Sequence, residues 1–92
     1  MTPAQFTHTL EQEGFEPAVT ITREADGMLD DHSHPFEAKA LILSGQIRIV
    51  AQGSDITYAA GDVFHLHANV VHQEFYGPQG VAYQVGRKTT AA

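Results

Sequence analysis

From Pro17 onward the chain is a run of short segments that suit β-strands, each closed by turn-forming residues. AVTITRE alternates apolar and polar side chains, the pattern of a strand with one face on a core. ALIL and QIRIV flank Ser44-Gly45. DITYA follows Gln52-Gly53-Ser54, and VFHLH follows Gly61-Asp62. HQEFY follows Ala68-Asn69, and VAYQVG follows Gly77-Pro78-Gln79-Gly80. Strands of about five residues, bounded so closely by Gly, Pro, Asn and Asp, predict an all-β sandwich or barrel.

Ahead of these strands the pattern is helical. Thr2 can cap a helix, Pro3 suits its first turn, and Gly14 can end it. Phe6 and Leu10 fall four apart on one face. The segment 1–15 is therefore expected to pack Phe6 and Leu10 on a barrel formed by 16–92. The last residues, KTTAA, are expected to fray.

Size and charge narrow the function. The 92 residues suffice for one domain. The balance of 5 Lys+Arg against 11 Asp+Glu gives a net charge of -6. An acidic chain with no basic-aromatic stripe lacks the footprint of a nucleic-acid binder, and its charge disfavours an anionic membrane surface. With no cysteine, disulfides, thiolate metal sites and a cysteine nucleophile are excluded. No apolar run approaches the ~20 residues of a membrane helix, and the N-terminus lacks the basic and apolar regions of a signal peptide. The default expectation is a cytoplasmic protein. No phosphate-cradling or nucleophile-elbow glycine motif occurs.

Six histidines remain to be explained. His32-Ser33-His34 is the sharpest feature. In a strand, residues two apart point to the same face, so such a pair can present two imidazoles to one ion.

The surroundings of this pair resemble the two motifs of the cupin superfamily. HSHPFEAKALILSG is similar to the first motif, closing at Gly45, and GDVFHLHANVVHQEFY is similar to the second, from Gly61 to His72. The likeness covers about residues 27 to 85. It implies a jelly-roll barrel with a short N-terminal helix, and a divalent metal held inside by His32, His34 and His72.

The chain departs from the motifs in several places. Gly27 lies one residue closer to His32 than the first motif asks. His67 and Asn69 stand at the second motif's Pro and second Gly, and Tyr76 stands where Asn is usual. The position of the family's glutamate ligand is Ala38. Glu37 is one residue off and should face the other way, unless a bulge near Pro35 re-aims it. Glu74 lies two residues past His72, on the same face, and is the other candidate for a carboxylate near the metal, as ligand or general base. If neither serves, three imidazoles leave open positions on the ion. Iron, manganese, nickel, zinc and copper are all compatible with such ligands.

Ala38 and Ala40 are expected to leave room beside the ion, and Phe64, Tyr76 and Tyr83 to shape the pocket. His65 and His67 share a face. A rim or surface position is expected for His65, an orienting role behind the ligands for His67, and a surface position for His8. Two functions follow. One is a metal-dependent oxygenase, isomerase or lyase acting on a small oxygenated molecule, with Glu74 or Glu37 taking a proton. The other is a non-catalytic module that binds a small molecule. Exposed sheet edges in so small a barrel lead us to expect a homodimer.

Overall fold

The computed structural model describes residues 1–89. One helix, α1 (Pro3–Gln12), precedes six strands: β1 (Val19–Arg23), β2 (Met28–His32), β3 (Phe36–Ala51), β4 (Ser54–Ala59), β5 (Val63–Leu66) and β6 (His72–Thr89). The helix is not long and apolar enough to cross a membrane.

Helix α1 is closed at both ends by its own sequence. The Gln5 amide donates to Thr2 Oγ1 at 3.2 Å, and the Thr2 amide donates to Gln5 Oε1 at 2.9 Å. This reciprocal box pairs donors that a helix start leaves free. At the other end Gly14 takes φ +79°. The amides of Phe15 and Gly14 then donate to the Leu10 and Glu11 carbonyls, a Schellman closure that turns Phe15 back toward the helix. Phe6, Leu10 and Phe15 are buried with Leu41 in a small core between helix and sheet. Leu10 sits over Gly86, where an added Cβ would lie 2.8 Å from its Cδ1.

The all-β expectation holds, with a different division into strands. The sheet runs β1-β6-β3-β4, with β2 also on β6 and β5 also on β3, all antiparallel. ALIL and QIRIV are not two strands about a turn: both belong to β3, whose 16 residues bend through register shifts at Ile42/Ser44 and Gly45/Ile47. HQEFY and VAYQVG likewise join in the 18-residue β6, which continues through Gly77-Pro78-Gln79-Gly80. Besides pairing each other, the two long strands each serve two further partners. β3 pairs β5 with its first part and β4 with its second, while β6 pairs β2 first and β1 later. Strand β2 was not foreseen, because MLDDH places two carboxylates where alternation would put one polar residue. Lys88 and Thr89 belong to β6, so fraying there is corrected; residues 90–92 lie outside the described residues.

Parity along β3 separates two cores. Ala38, Ala40 and Ile42 point into the barrel with Ile47, Ile49, Phe64, Tyr76, Val81, Tyr83 and Val85. Leu41 points the other way, to the helix. The bend depends on a close approach of two glycines. Gly45 has φ +73°, and a Cβ there would lie 2.0 Å from the Gly80 carbonyl oxygen. Gly53 has φ +78° but nothing within 4 Å. We therefore expect Gly45→Ala to cost about 2–5 kcal/mol, from backbone strain plus the clash. Gly53→Ala should cost about 1–3 kcal/mol, from strain alone. Urea denaturation of the two variants checks this; equal losses would mean that the Gly45–Gly80 approach is not needed.

Candidate metal centre

Three backbone segments meet at one end of the barrel. His32 is the last residue of β2 and His72 the first of β6, and the two are register partners. Glu74 lies two residues further along β6 and so shares the inner face with His72. His34 is beyond the end of β2, in the link to β3. It is not on a strand, as the His-x-His reading assumed, yet its ring still reaches the others. Its carbonyl accepts from the Asn69 amide at 2.7 Å, where Asn69 takes φ +66°. Its ring stacks on Phe36, 5.0 Å away and tilted by 15°.

The imidazoles converge. Ring centroids are 4.1 Å apart for His32 and His72, 5.1 Å for His32 and His34, and 5.5 Å for His34 and His72. One ligand atom from each of His32, His34, His72 and Glu74 lies within 4.8 Å of all the others. His72 and Glu74 are buried, at 2% and 8% exposure.

Hydrogen bonds decide which nitrogens face inward. His32 Nδ1 donates to the Asp30 carbonyl at 2.7 Å, and His72 Nδ1 donates to the Val70 carbonyl at 3.0 Å. A carbonyl only accepts, so the proton of each neutral ring sits on Nδ1 and the lone pair on Nε2. Both Nε2 atoms then point at the same acceptor, Glu74 Oε2, at 3.1 Å each. Acceptors so placed repel unless a metal ion, or a proton on one of the rings, lies among them. Donors about 2.1 Å from one ion stand about 3–4 Å from each other, so the 3.1 Å separations suit adjacent donors on a metal. The set of three imidazoles and one carboxylate therefore fits a divalent transition metal.

Glu74 is held from behind. Tyr76 O–H donates to its Oε1 at 3.1 Å, leaving Oε2 for the centre. Burial, and then the Glu74 charge, push the Tyr76 phenol well above its ordinary pKa, so it stays a donor. Burial holds the His34 imidazole below its ordinary pKa, and His32 and His72 add to the effect.

A cavity of about 120 Å³ opens from this cluster. Ala38, Phe64 and Tyr83 line it, as expected of pocket residues. Ala40 does not: it is fully buried in the barrel core. Tyr76 does not line it either, because it stands behind Glu74. The sequence reading missed Arg23, Leu29, Phe36 and Arg87, which complete much of the wall. Arg23 continues the alternation of Ile21, and Arg87 that of Tyr83 and Val85, so strand parity could have found them.

Glu37 is corrected as a ligand beside the three histidines. No bulge re-aims it; it points away from Ala38, to the face that carries the helix. There it hydrogen-bonds His65 across the β3–β5 pair, and this bond holds its carboxyl below the ordinary range. His67 joins these two, its ring centroid 4.5 Å from that of His65. It thus stands with Glu37 and His65, not behind the ligand histidines. Glu37, His65 and His67 form a separate, more exposed group that could also hold an ion. His8 is exposed on α1.

The Tyr76–Glu74 bond carries its own prediction. Tyr76→Phe should lower the stability of the metal-free chain by about 1–2 kcal/mol, because a buried carboxylate oxygen loses its donor. Denaturant midpoints at neutral pH measure this, and a loss below about 0.5 kcal/mol would show that water replaces the hydroxyl.

No family model and no curated protein matches the chain. Solved structures do. An RmlC-like cupin from Shewanella frigidimarina superposes with TM-score 0.66 at 19% identity, over 79% of this chain and 66% of that one. A conserved protein of unknown function from Streptococcus pyogenes gives TM-score 0.70 at 20% identity, over 83% and 66%. A cupin superfamily protein from Desulfitobacterium hafniense gives TM-score 0.70 at 15% identity, over 80% and 67%. The chain thus spans about two thirds of the length of these structures. At such identities the likeness is one of fold. On that likeness, together with its antiparallel barrel and short helix, the chain has the cupin jelly-roll fold.

Proposed function

We propose that this chain is a metal-dependent enzyme of the oxygenase, isomerase or lyase kind, acting on a small oxygenated molecule in the barrel cavity. The observation that carries the reading is the convergence of two carbonyl-locked imidazoles and Glu74 Oε2 on one point. His32, His34, His72 and Glu74 would hold the ion, which when bound polarises substrate oxygens or water. Phe36 fixes the plane of the His34 ring, and Tyr76 fixes the carboxylate. Glu74 Oε2 is the group best placed to accept a proton when it is not ligated. Leu29, Phe64 and Leu66 give the cavity an apolar lining beside the metal centre. A binding module without turnover uses the same site, and would give saturable binding by the metal-loaded chain with no product. A homodimer belongs to this reading. β1 and β4 end the sheet path with Val19 and Ile56 exposed, and a second copy would cover such edges. A monomer at micromolar concentration in sedimentation would contradict the dimer.

Metal content tests the centre. Inductively coupled plasma mass spectrometry of chain loaded and then dialysed should find about one ion per chain. His72→Ala should lose it, while Glu37→Gln should keep it. Zinc, iron, manganese, nickel or copper at that level would identify the ion, and no bound metal after reconstitution would sink the reading. Acid should release the ion, because protons compete for the imidazole lone pairs. Affinity for the ion should fall as the pH is lowered from about 7 to about 5. An affinity unchanged over that range would contradict ligation by imidazoles.

A further inference from the structure

The distribution of positive charge points to the ligand. The chain has 5 Lys+Arg against 11 Asp+Glu, so its cations have carboxylates to spare. Three of them are engaged by the protein. Arg48 grips Asp55 with two bonds of 2.8 and 2.7 Å. Lys39 pairs with Glu13 at 2.9 Å, and Lys88 donates to the Glu13 carbonyl at 2.8 Å. The other two are Arg23 and Arg87. Neither makes a hydrogen bond or ion pair to a carboxylate among the described residues, and both line the cavity beside the histidines.

Their placement follows from the strands. Arg87 follows the buried row Val81, Tyr83, Val85 on β6 and is itself exposed at the cavity mouth, with its guanidinium carbon 4.9 Å from the Phe36 ring centroid. Phe36 in turn stacks on His34, so arginine, phenyl ring and imidazole form one layered wall. Arg23 follows Ile21 on one face of β1 and stands exposed at the mouth of the cavity, whose wall includes Tyr83. Glu74, the carboxylate on the cavity wall, accepts from Tyr76 through Oε1 and turns Oε2 to the metal centre between His32 and His72. With a divalent ion in place, the cavity would carry one negative and four positive charges.

We propose that Arg23 and Arg87 form an anion subsite, and that the cavity's ligand is a small carboxylate. One end of it meets the metal centre, which rests on the function proposed above. The other end carries a carboxylate for the guanidinium groups, whose planar donors match a carboxylate's two oxygens. The cavity volume of about 120 Å³ has room for several waters, and a short diacid is on that scale.

Malonate and its uncharged diamide, malonamide, are suitable probes. Isothermal titration of each into the zinc-loaded chain should show saturable malonate binding and at least tenfold weaker malonamide binding. Arg23→Gln and Arg87→Gln should each weaken malonate by tenfold or more. Arg48→Gln, outside the cavity, should stay within twofold. Circular dichroism of each variant confirms that it is folded. Wild-type affinity for malonate in both cavity variants, or malonamide binding as tightly as malonate, would overturn the subsite. Zinc content of the same samples separates the two readings. Wild-type chain without zinc overturns the metal centre, and the arginine dependence is then judged by the same criteria in the metal-free chain. Zinc at one per chain with arginine-independent malonate affinity overturns the subsite alone.

Discussion

The pairing of β3 with β6 is the constraint on which the rest of this small barrel depends. The two strands run together from Phe36↔Thr89 to Ala51↔His72, and every other strand hangs on one of them. A pair this long cannot stay flat and also enclose a core. It bends where β3 loses register, at Ile42/Ser44 and Gly45/Ile47, and where Gly45 and Gly80 let the two backbones nearly touch. Bulges of this kind increase local twist and re-aim the strand. One half of each long strand can therefore join a different partner from the other half.

That bend also positions the chemistry. His72 and Glu74 occupy the start of β6, and β2 delivers His32 to the same place through its register with His72. Short hydrogen bonds within each segment, from His32 to Asp30 and from His72 to Val70, set the rings without help from distant residues. Preorganisation of this kind, by bonds behind the ligands, is how proteins aim lone pairs at an ion. The far ends of β1 and β6 bring Arg23 and Arg87 to the exposed mouth of the cavity. With the proposed ion in place, the cavity would be electropositive within an acidic chain.

Much of this was legible in the sequence. The helix could be read because its caps, Thr2 and Gly14, and its buried pair, Phe6 and Leu10, are local features. The barrel could be read because turn residues recur between short apolar runs. The joining of strands could not, because Ser44-Gly45 and Gly77–Gly80 have turn composition, and only the contact between Gly45 and Gly80 makes them corners of continuous strands. Strand parity placed Glu74 on the face of His72 and Glu37 on the opposite face from Ala38. Ala40 obeyed parity yet lies in the packed core, since parity gives a direction and not a depth. Arg23 and Arg87 went unnoticed because a charged residue ending a strand normally reads as solvated. Their significance needs the account of which cations already have partners.

The central claim is that His32, His34, His72 and Glu74 together ligate one ion, and X-ray absorption at the zinc edge tests it most directly. Zinc-loaded chain should give a shell of nitrogen and oxygen at about 2.0–2.1 Å, with the outer scattering of three imidazoles. Glu74→Gln should alter that shell while the imidazole scattering stays. A spectrum with no imidazole scattering, or with that of one imidazole alone, would contradict the account and leave the four residues a hydrogen-bonded cluster in a ligand-binding barrel.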